Sequence, residues 1–389
     1  MIKGIFKMSK KYYFATFLFF SFFLLGYVAA NITEPLGFGD RERYLEMALV
    51  PENFVGSPWG YRIGVPFLVH FISAQLSASV ETVYSFAQHF MLALFLTILF
   101  FWFSARLRIQ KISSILICLM FVFSYPGIYY LHNFTHIGFF EYLFILLGAL
   151  AVYYNKFLFL CCVIFISGFF KESIGLILIP SFFVSSIYFA KGERVVLKCI
   201  TLGIIYFSVF FFLRSGLMFF GNNGINSYTS FYSAQTLVDV YEYYGGFLGA
   251  LKTIAGVFGP ILMLAFFGFW FSDLKQKFLI SIPLFASMQI LLASDVGRMV
   301  SLGMPVLLLF SAISLDKVTV YRSVVVVFIY GVYFMGMDYR IYGDSRALMS
   351  AWFGSSMIVT FLVLWFDPNF RSTFKYHTNN NFKIANSGH

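Results

Sequence analysis

Apolar runs follow one another along nearly the whole of this 389-residue chain, separated by short segments that hold most of its charge. A helix needs about 20 apolar residues to cross the hydrocarbon core of a bilayer. Runs of that order lie near 12–30, 83–104, 112–130, 137–154, 157–170, 173–190, 199–219, 247–271, 278–293, 299–315, 323–337 and 347–366. With 60% hydrophobic residues, the chain carries more apolar surface than a soluble core of its size buries. The fold expected is all-α: a polytopic membrane helix bundle of about 12 transmembrane helices. Lys171-Glu172 splits 157–170 from 173–190, and the two read as a tight helical hairpin.

The stretch 63–76 is apolar but short, and Pro66 and His70 interrupt it, so charge decides whether it crosses. If it does not, 18 of the 27 basic residues fall on one side, among them Lys3 to Lys11, Arg106, Arg108, Lys111, Lys275, Lys277 and Lys375. Only Glu193, Asp273, Asp316 and Asp367 of the 17 acidic residues join them. That asymmetry satisfies the positive-inside rule with both termini cytoplasmic. Counting 63–76 as a span inverts every later loop and breaks the rule. Residues 1–366 then form a single transmembrane domain, with outer loops at 31–82 and 220–246. The first outer loop is expected to carry surface helices. The polar, Asn-rich segment 367–389 reads as a disordered cytoplasmic tail. Val28-Ala29-Ala30 resembles a signal cleavage site, but the preceding apolar run is longer than a signal core, which favours an uncleaved first helix.

The net charge of +10 is spread between apolar runs rather than gathered in a patch, which argues against nucleic acid as a partner. Cys118, Cys161, Cys162 and Cys199 all lie in or beside apolar segments without metal-ligand spacing. No Walker loop, GxGxxG or HExxH motif is present, and no internal repeat.

Charge makes up 11% of the chain and is costly near lipid, so its concentration on the outer face marks candidate chemistry. Gly39-Asp40-Arg41-Glu42-Arg43-Tyr44 follows the first apolar run. Asp40 and Glu42 can supply a general base and a second carboxylate that orients the acceptor or holds a divalent cation. Asp40 is equally placed to cap a helix that ends before Pro51. Arg62 stands where an apolar helix begins at the interface, and its guanidinium can bind a lipid phosphate bidentately, snorkel to headgroups or pair with a carboxylate. Lys171 can neutralise a phosphate with Glu172 fixing it, or the two can mark a charged turn. Asp295 and Arg298 have the spacing of a helical pair, with Arg298 able to reach a phosphate. His132 and His136 read as a polar loop rather than a metal pair, and Glu141 and Arg214 sit within apolar runs with partners that the sequence does not identify.

These segments, with Tyr61-Arg62 through Pro66, Lys171-Glu172-Ser173 leading to Pro180, and Asp295-Val296-Gly297-Arg298 leading to Pro305, resemble the multi-pass bacterial glycosyltransferases of the GT-C superfamily. The resemblance implies transfer of a sugar from a polyprenyl-phosphate donor to a surface glycan or lipid-linked acceptor, outside the bacterial inner membrane. It gives Asp40 the base role and Glu42 a supporting one, with Arg62, Lys171 and Arg298 on the donor phosphate and Glu172 and Asp295 in support. The acidic pair is Asp-Arg-Glu rather than Asp-X-Asp, which leaves a divalent cation open, and the soluble outer domain that many members carry after the last span is not expected here. Two other readings compete. An O-antigen or polysaccharide polymerase has a similar span count and long outer loops. A transporter or lipid flippase needs polar groups near mid-membrane and often repeated halves.

Overall fold

The computed structural model describes residues 2–33, 41–51, 62–189, 194–217, 246–289, 296–335 and 346–386, and among them every regular element is helical. The chain opens with α1 (Ile2–Ile32), then two shorter helices, α2 (Arg41–Leu49) and α3 (Gly64–Leu76). α4 (Val80–Phe101) starts at a Ser79 cap, whose hydroxyl accepts from the Thr82 N–H at 3.2 Å, and ends in a π turn over Trp102–Arg106. α5 (Lys111–Val122), α6 (Tyr125–His132), α7 (Gly138–Tyr153), α8 (Phe157–Ser167), α9 (Ser173–Phe189) and α10 (Val195–Leu217) follow. The second half holds α11 (Gly246–Phe258), α12 (Ile261–Phe271), α13 (Leu274–Lys277), α14 (Ser281–Met288), α15 (Val296–Ser301), α16 (Met304–Leu315), α17 (Val320–Met335), α18 (Arg346–Trp365) and α19 (Pro368–Asn386).

α16 lies at the centre. Every residue from Met304 to Leu315 is buried, as expected of a helix apolar on all faces. The rims of the bundle show the opposite pattern. Phe17, Phe20, Leu24 and Tyr27 on α1 are each more than half exposed, as are Ile200, Ile204, Phe207 and Phe211 on α10. Both sets recur at three- and four-residue spacing, so each forms one continuous outward apolar stripe.

Among the described residues, three helices are long and apolar enough to cross a membrane, Tyr12–Ile32, Val80–Arg106 and Val195–Leu213, or four if α5 and α6 count as one broken span. Several runs expected as single crossings are interrupted. The run 112–130 is α5 and α6 meeting at a 54° bend, where Ser124 caps α6 and Pro126 sits in its first turn. Pro260, which has no N–H to donate, separates α11 from α12 within 247–271. Within 299–315, α15 ends at Ser301 and α16 restarts at Met304-Pro305. The segment after 367 is also corrected: α19 occupies 368–386 in place of a disordered tail. Asp367 accepts from the Asn369 and Phe370 N–H groups at its start, and Phe370 is buried with its ring 5.0 Å from that of Phe267. Its helical spacing of Phe370 and Phe374 was masked by the Asn-rich composition.

Side-chain contacts sort the connecting segments into two ends. At one, Asp316 accepts from the Gln110 N–H at 2.7 Å, Asp367 from Thr319 Oγ1 at 2.6 Å, and Lys275 lies 4.6 Å over the Tyr153 ring. At the other, Thr33 meets His132 Nε2 at 2.9 Å and the Gly64 N–H donates to the Phe169 carbonyl at 2.8 Å. α3 does not run from one end to the other. Arg62, before α3, and Tyr84, just inside α4, both hydrogen-bond to Tyr44, so the chain leaves and re-enters the same end.

Candidate functional site

A small apolar cluster builds the floor of this end. Tyr44, Met47 and Ala48 of α2 pack on Val65 and Val69 of α3, Val83 and Tyr84 of α4, and Ile137 and Phe140 beside α7. The Phe170 ring stacks on Phe140 at 5.5 Å, which ties the α8–α9 turn to the same floor. Gly64 makes that join possible. A Cβ there would stand 2.9 Å from the Phe170 ring and 3.0 Å from the Phe169 carbonyl oxygen.

On this floor stand five charges from four separated segments. The Arg62 guanidinium forks onto Glu172, Nη2 donating to Oε1 at 2.9 Å and Nε to Oε2 at 3.3 Å, and its Nη1 donates to the Tyr44 hydroxyl at 3.3 Å. Lys171 Nζ lies 3.3 Å from Glu141 Oε1, with the two side chains 4% and 3% exposed. Arg298 Nη1 is 2.9 Å from His136 Nδ1. Arginine only donates, so His136 Nδ1 accepts, and the ring is neutral with its proton on Nε2. Arg298 is positioned by α15, where Ser301 Oγ donates to the Arg298 carbonyl at 2.7 Å and meets the Tyr142 hydroxyl of α7 at 2.6 Å.

These groups act electrostatically as one. Burial lowers the Lys171 pKa, Arg62 and Arg298 lower it further, and Glu141 and Glu172 oppose them. Burial would raise the Glu172 carboxyl, but Arg62 overrides it and holds the group down at about 2. Burial works against the charge of Arg62, yet Glu172 raises its pKa well above the usual guanidinium value. Burial raises the Tyr44 phenol, against the pull of Arg62. Among the described residues, three cations and two carboxylates meet in this cluster.

Arg62, Lys171 and Arg298, expected at a donor phosphate, and Glu172, expected in support, therefore meet in one cluster. Glu42 is exposed on α2, and among the described residues no hydrogen bond or ion pair links it to the cluster. Asp40, Asp295 and most of the 220–246 loop lie outside the described residues. Glu141, Tyr44 and His136 are the members that the sequence did not assign to the site. Glu141 alone carried a signal, as a carboxylate inside an apolar run. His132 and His136 do not converge on one ligand: α6 ends at His132, which turns to Thr33, while His136 meets Arg298. Among the described residues no three His, Cys, Asp or Glu side chains come together as a metal site. Known protein families, characterised proteins and solved structures yield no match to this chain.

Proposed function

We propose that this protein is a multi-pass glycosyltransferase of the bacterial inner membrane, with both termini cytoplasmic, that moves a sugar from a polyprenyl-phosphate donor to a glycan or lipid-linked acceptor on the outer face. One observation carries the reading. Arg62, Lys171 and Arg298, from three distant parts of the chain, gather in one cluster at the end of an apolar bundle, with Arg62 and Lys171 buried and Arg298 half-buried. Cations gathered at the end of an apolar bundle are costly to hold without anions, and a phosphate is an anion that Arg and Lys side chains together suit. The exposed apolar stripes of α1 and α10 support a lipid surround, because in water each would be a large unsatisfied patch. The cluster sits at helix ends rather than mid-bundle, which suits a lipid donor arriving sideways from the bilayer more than a transport path.

In the reaction an acceptor hydroxyl oxygen attacks the anomeric carbon while the bond from that carbon to the phosphate oxygen breaks. Polyprenyl phosphate leaves with the electron pair. Preorganised cations stabilise the charge that develops on the leaving oxygen, and each such group is worth roughly 100-fold or more in rate. Arg62 and Arg298 can engage phosphate bidentately, and Lys171 adds a point charge. The test is complementation of a strain lacking the native copy by Arg298→Gln and Lys171→Met, with surface glycans read by mass spectrometry. Both variants should insert normally and lose the glycan product, with lipid-linked sugar accumulating. An unchanged glycan with wild-type insertion would remove the phosphate role.

A further inference from the structure

The base that takes the acceptor's proton must have an open lone pair beside the cations. Of the carboxylates described at this end, Glu42 and Glu46 are exposed on α2, and Glu81 is held by Arg41 at 2.9 Å. Glu172 is occupied at both oxygens by Arg62, and with a pKa of about 2 it binds a proton poorly near neutral pH. Glu141 is different. Lys171 holds its Oε1, while Oε2 is buried with no hydrogen-bond partner, in the first turn of α7. A buried carboxylate oxygen without a partner is costly, which makes it a place to look for a missing ligand. Two more buried acceptors stand next to the Lys171 turn in the same state. Ser173 Oγ has no partner, nor has Oε1 of Gln289, whose amide nitrogen donates to the Ser173 carbonyl at 3.1 Å. Unpartnered acceptors are what a hydroxyl-rich ligand satisfies.

We propose that Glu141 is the general base of the transfer, and that the donor itself arms it. The inference rests on the glycosyltransferase reading. When the donor phosphate binds, it becomes the partner of Lys171 Nζ and releases Glu141 Oε1. The acceptor hydroxyl then gives its proton to Glu141 as its oxygen bonds to the anomeric carbon. Polyprenyl phosphate departs with the electron pair of the broken bond, held by Arg62, Lys171 and Arg298, and the proton passes from Glu141 to water once the product has left. Coupling the base to the donor keeps the carboxylate engaged while the site is empty.

The experiment compares wild type, Glu141→Gln and Glu141→Asp in cells lacking the native copy, with glycan product followed by mass spectrometry per unit of inserted protein. In parallel, the purified proteins in nanodiscs are titrated with undecaprenyl phosphate. Loss of a general base costs roughly 100- to 10,000-fold. Glu141→Gln should fall into that range while binding undecaprenyl phosphate at least as well as wild type, because Lys171 no longer has a competing carboxylate. If Glu141→Gln does not insert, Glu141→Asp keeps the charge with a shorter reach and should turn over about tenfold more slowly, less than the full loss of a general base. Turnover of Glu141→Gln, or failing its insertion of Glu141→Asp, at the wild-type rate overturns the base assignment and leaves the transferase reading standing. A wild-type protein that changes no glycan relative to the deletion strain overturns both.

Discussion

Glu172 ties the stability of the site to pH. Its carboxyl is held at about 2 in the folded protein, against 4.5 for an ordinary glutamate. A depressed carboxylate pKa stabilises the fold above the unfolded value, and the contribution disappears as pH falls through the folded one. Here the window runs from pH 4.5 down to about 2, and a shift of that size corresponds to roughly 3 kcal/mol at neutral pH. Glu172→Gln removes the counter-charge and leaves Arg62 buried without it, a loss of about 3–5 kcal/mol. Thermal unfolding in detergent across pH 2–7 checks both points, since the variant should start lower and lack the wild-type decline attributable to this carboxylate. Equal midpoints for the two proteins at pH 7 would show that the Arg62–Glu172 bridge contributes nothing net.

Among the helices, α12 and α16 approach each other closely at Gly268. A Cβ on Gly268 would stand 1.6 Å from the Phe310 carbonyl oxygen, a backbone atom that no side-chain rotation can move away. Gly268→Ala must push the two helices apart. Against that, alanine gains at most about 1 kcal/mol in helix propensity. The expected net effect is a loss of about 1–3 kcal/mol, the usual cost of overpacking, seen as a lower unfolding midpoint. A midpoint at or above wild type would mean that the helices separate freely. Helix interruptions elsewhere follow local chemistry that the sequence displays openly: Ser124 with Pro126, Pro260, and Gly303 with Pro305. Apolar content alone conceals them, which is why 112–130 and 247–271 read as unbroken.

At the scale of the whole molecule, the path of the chain past α3 decides which loops share a face. With Arg62 and Tyr84 both bonded to Tyr44, the turn after the π segment falls at the end opposite the charged cluster. A reporter fused after Arg108 should therefore be cytoplasmic: fluorescent as a green fluorescent protein fusion and inactive as an alkaline phosphatase fusion. Phosphatase activity at that point would invert the topology and remove the outer-face site with it.

Local pattern is enough to read a helical chain, the non-crossing α3, the α8–α9 hairpin and the short list of charges worth attention. Apolar length, breakers and charge asymmetry all act over a few neighbouring residues or are summed loop by loop. Partner choice is not local. Arg62 and Glu172 are 110 residues apart, and Arg298 and His136 are 162 apart. Which of several carboxylates a buried cation meets depends on how the helices close around it, and a low-dielectric interior enforces that choice at a cost of several kcal/mol. The sequence by itself therefore determined the helical character of the chain and nominated Arg62, Lys171, Glu172 and Arg298. Only the tertiary structure joined Glu141, Tyr44 and His136 to them and left one oxygen of Glu141 without a partner, because burial and pairing are properties of the assembled bundle.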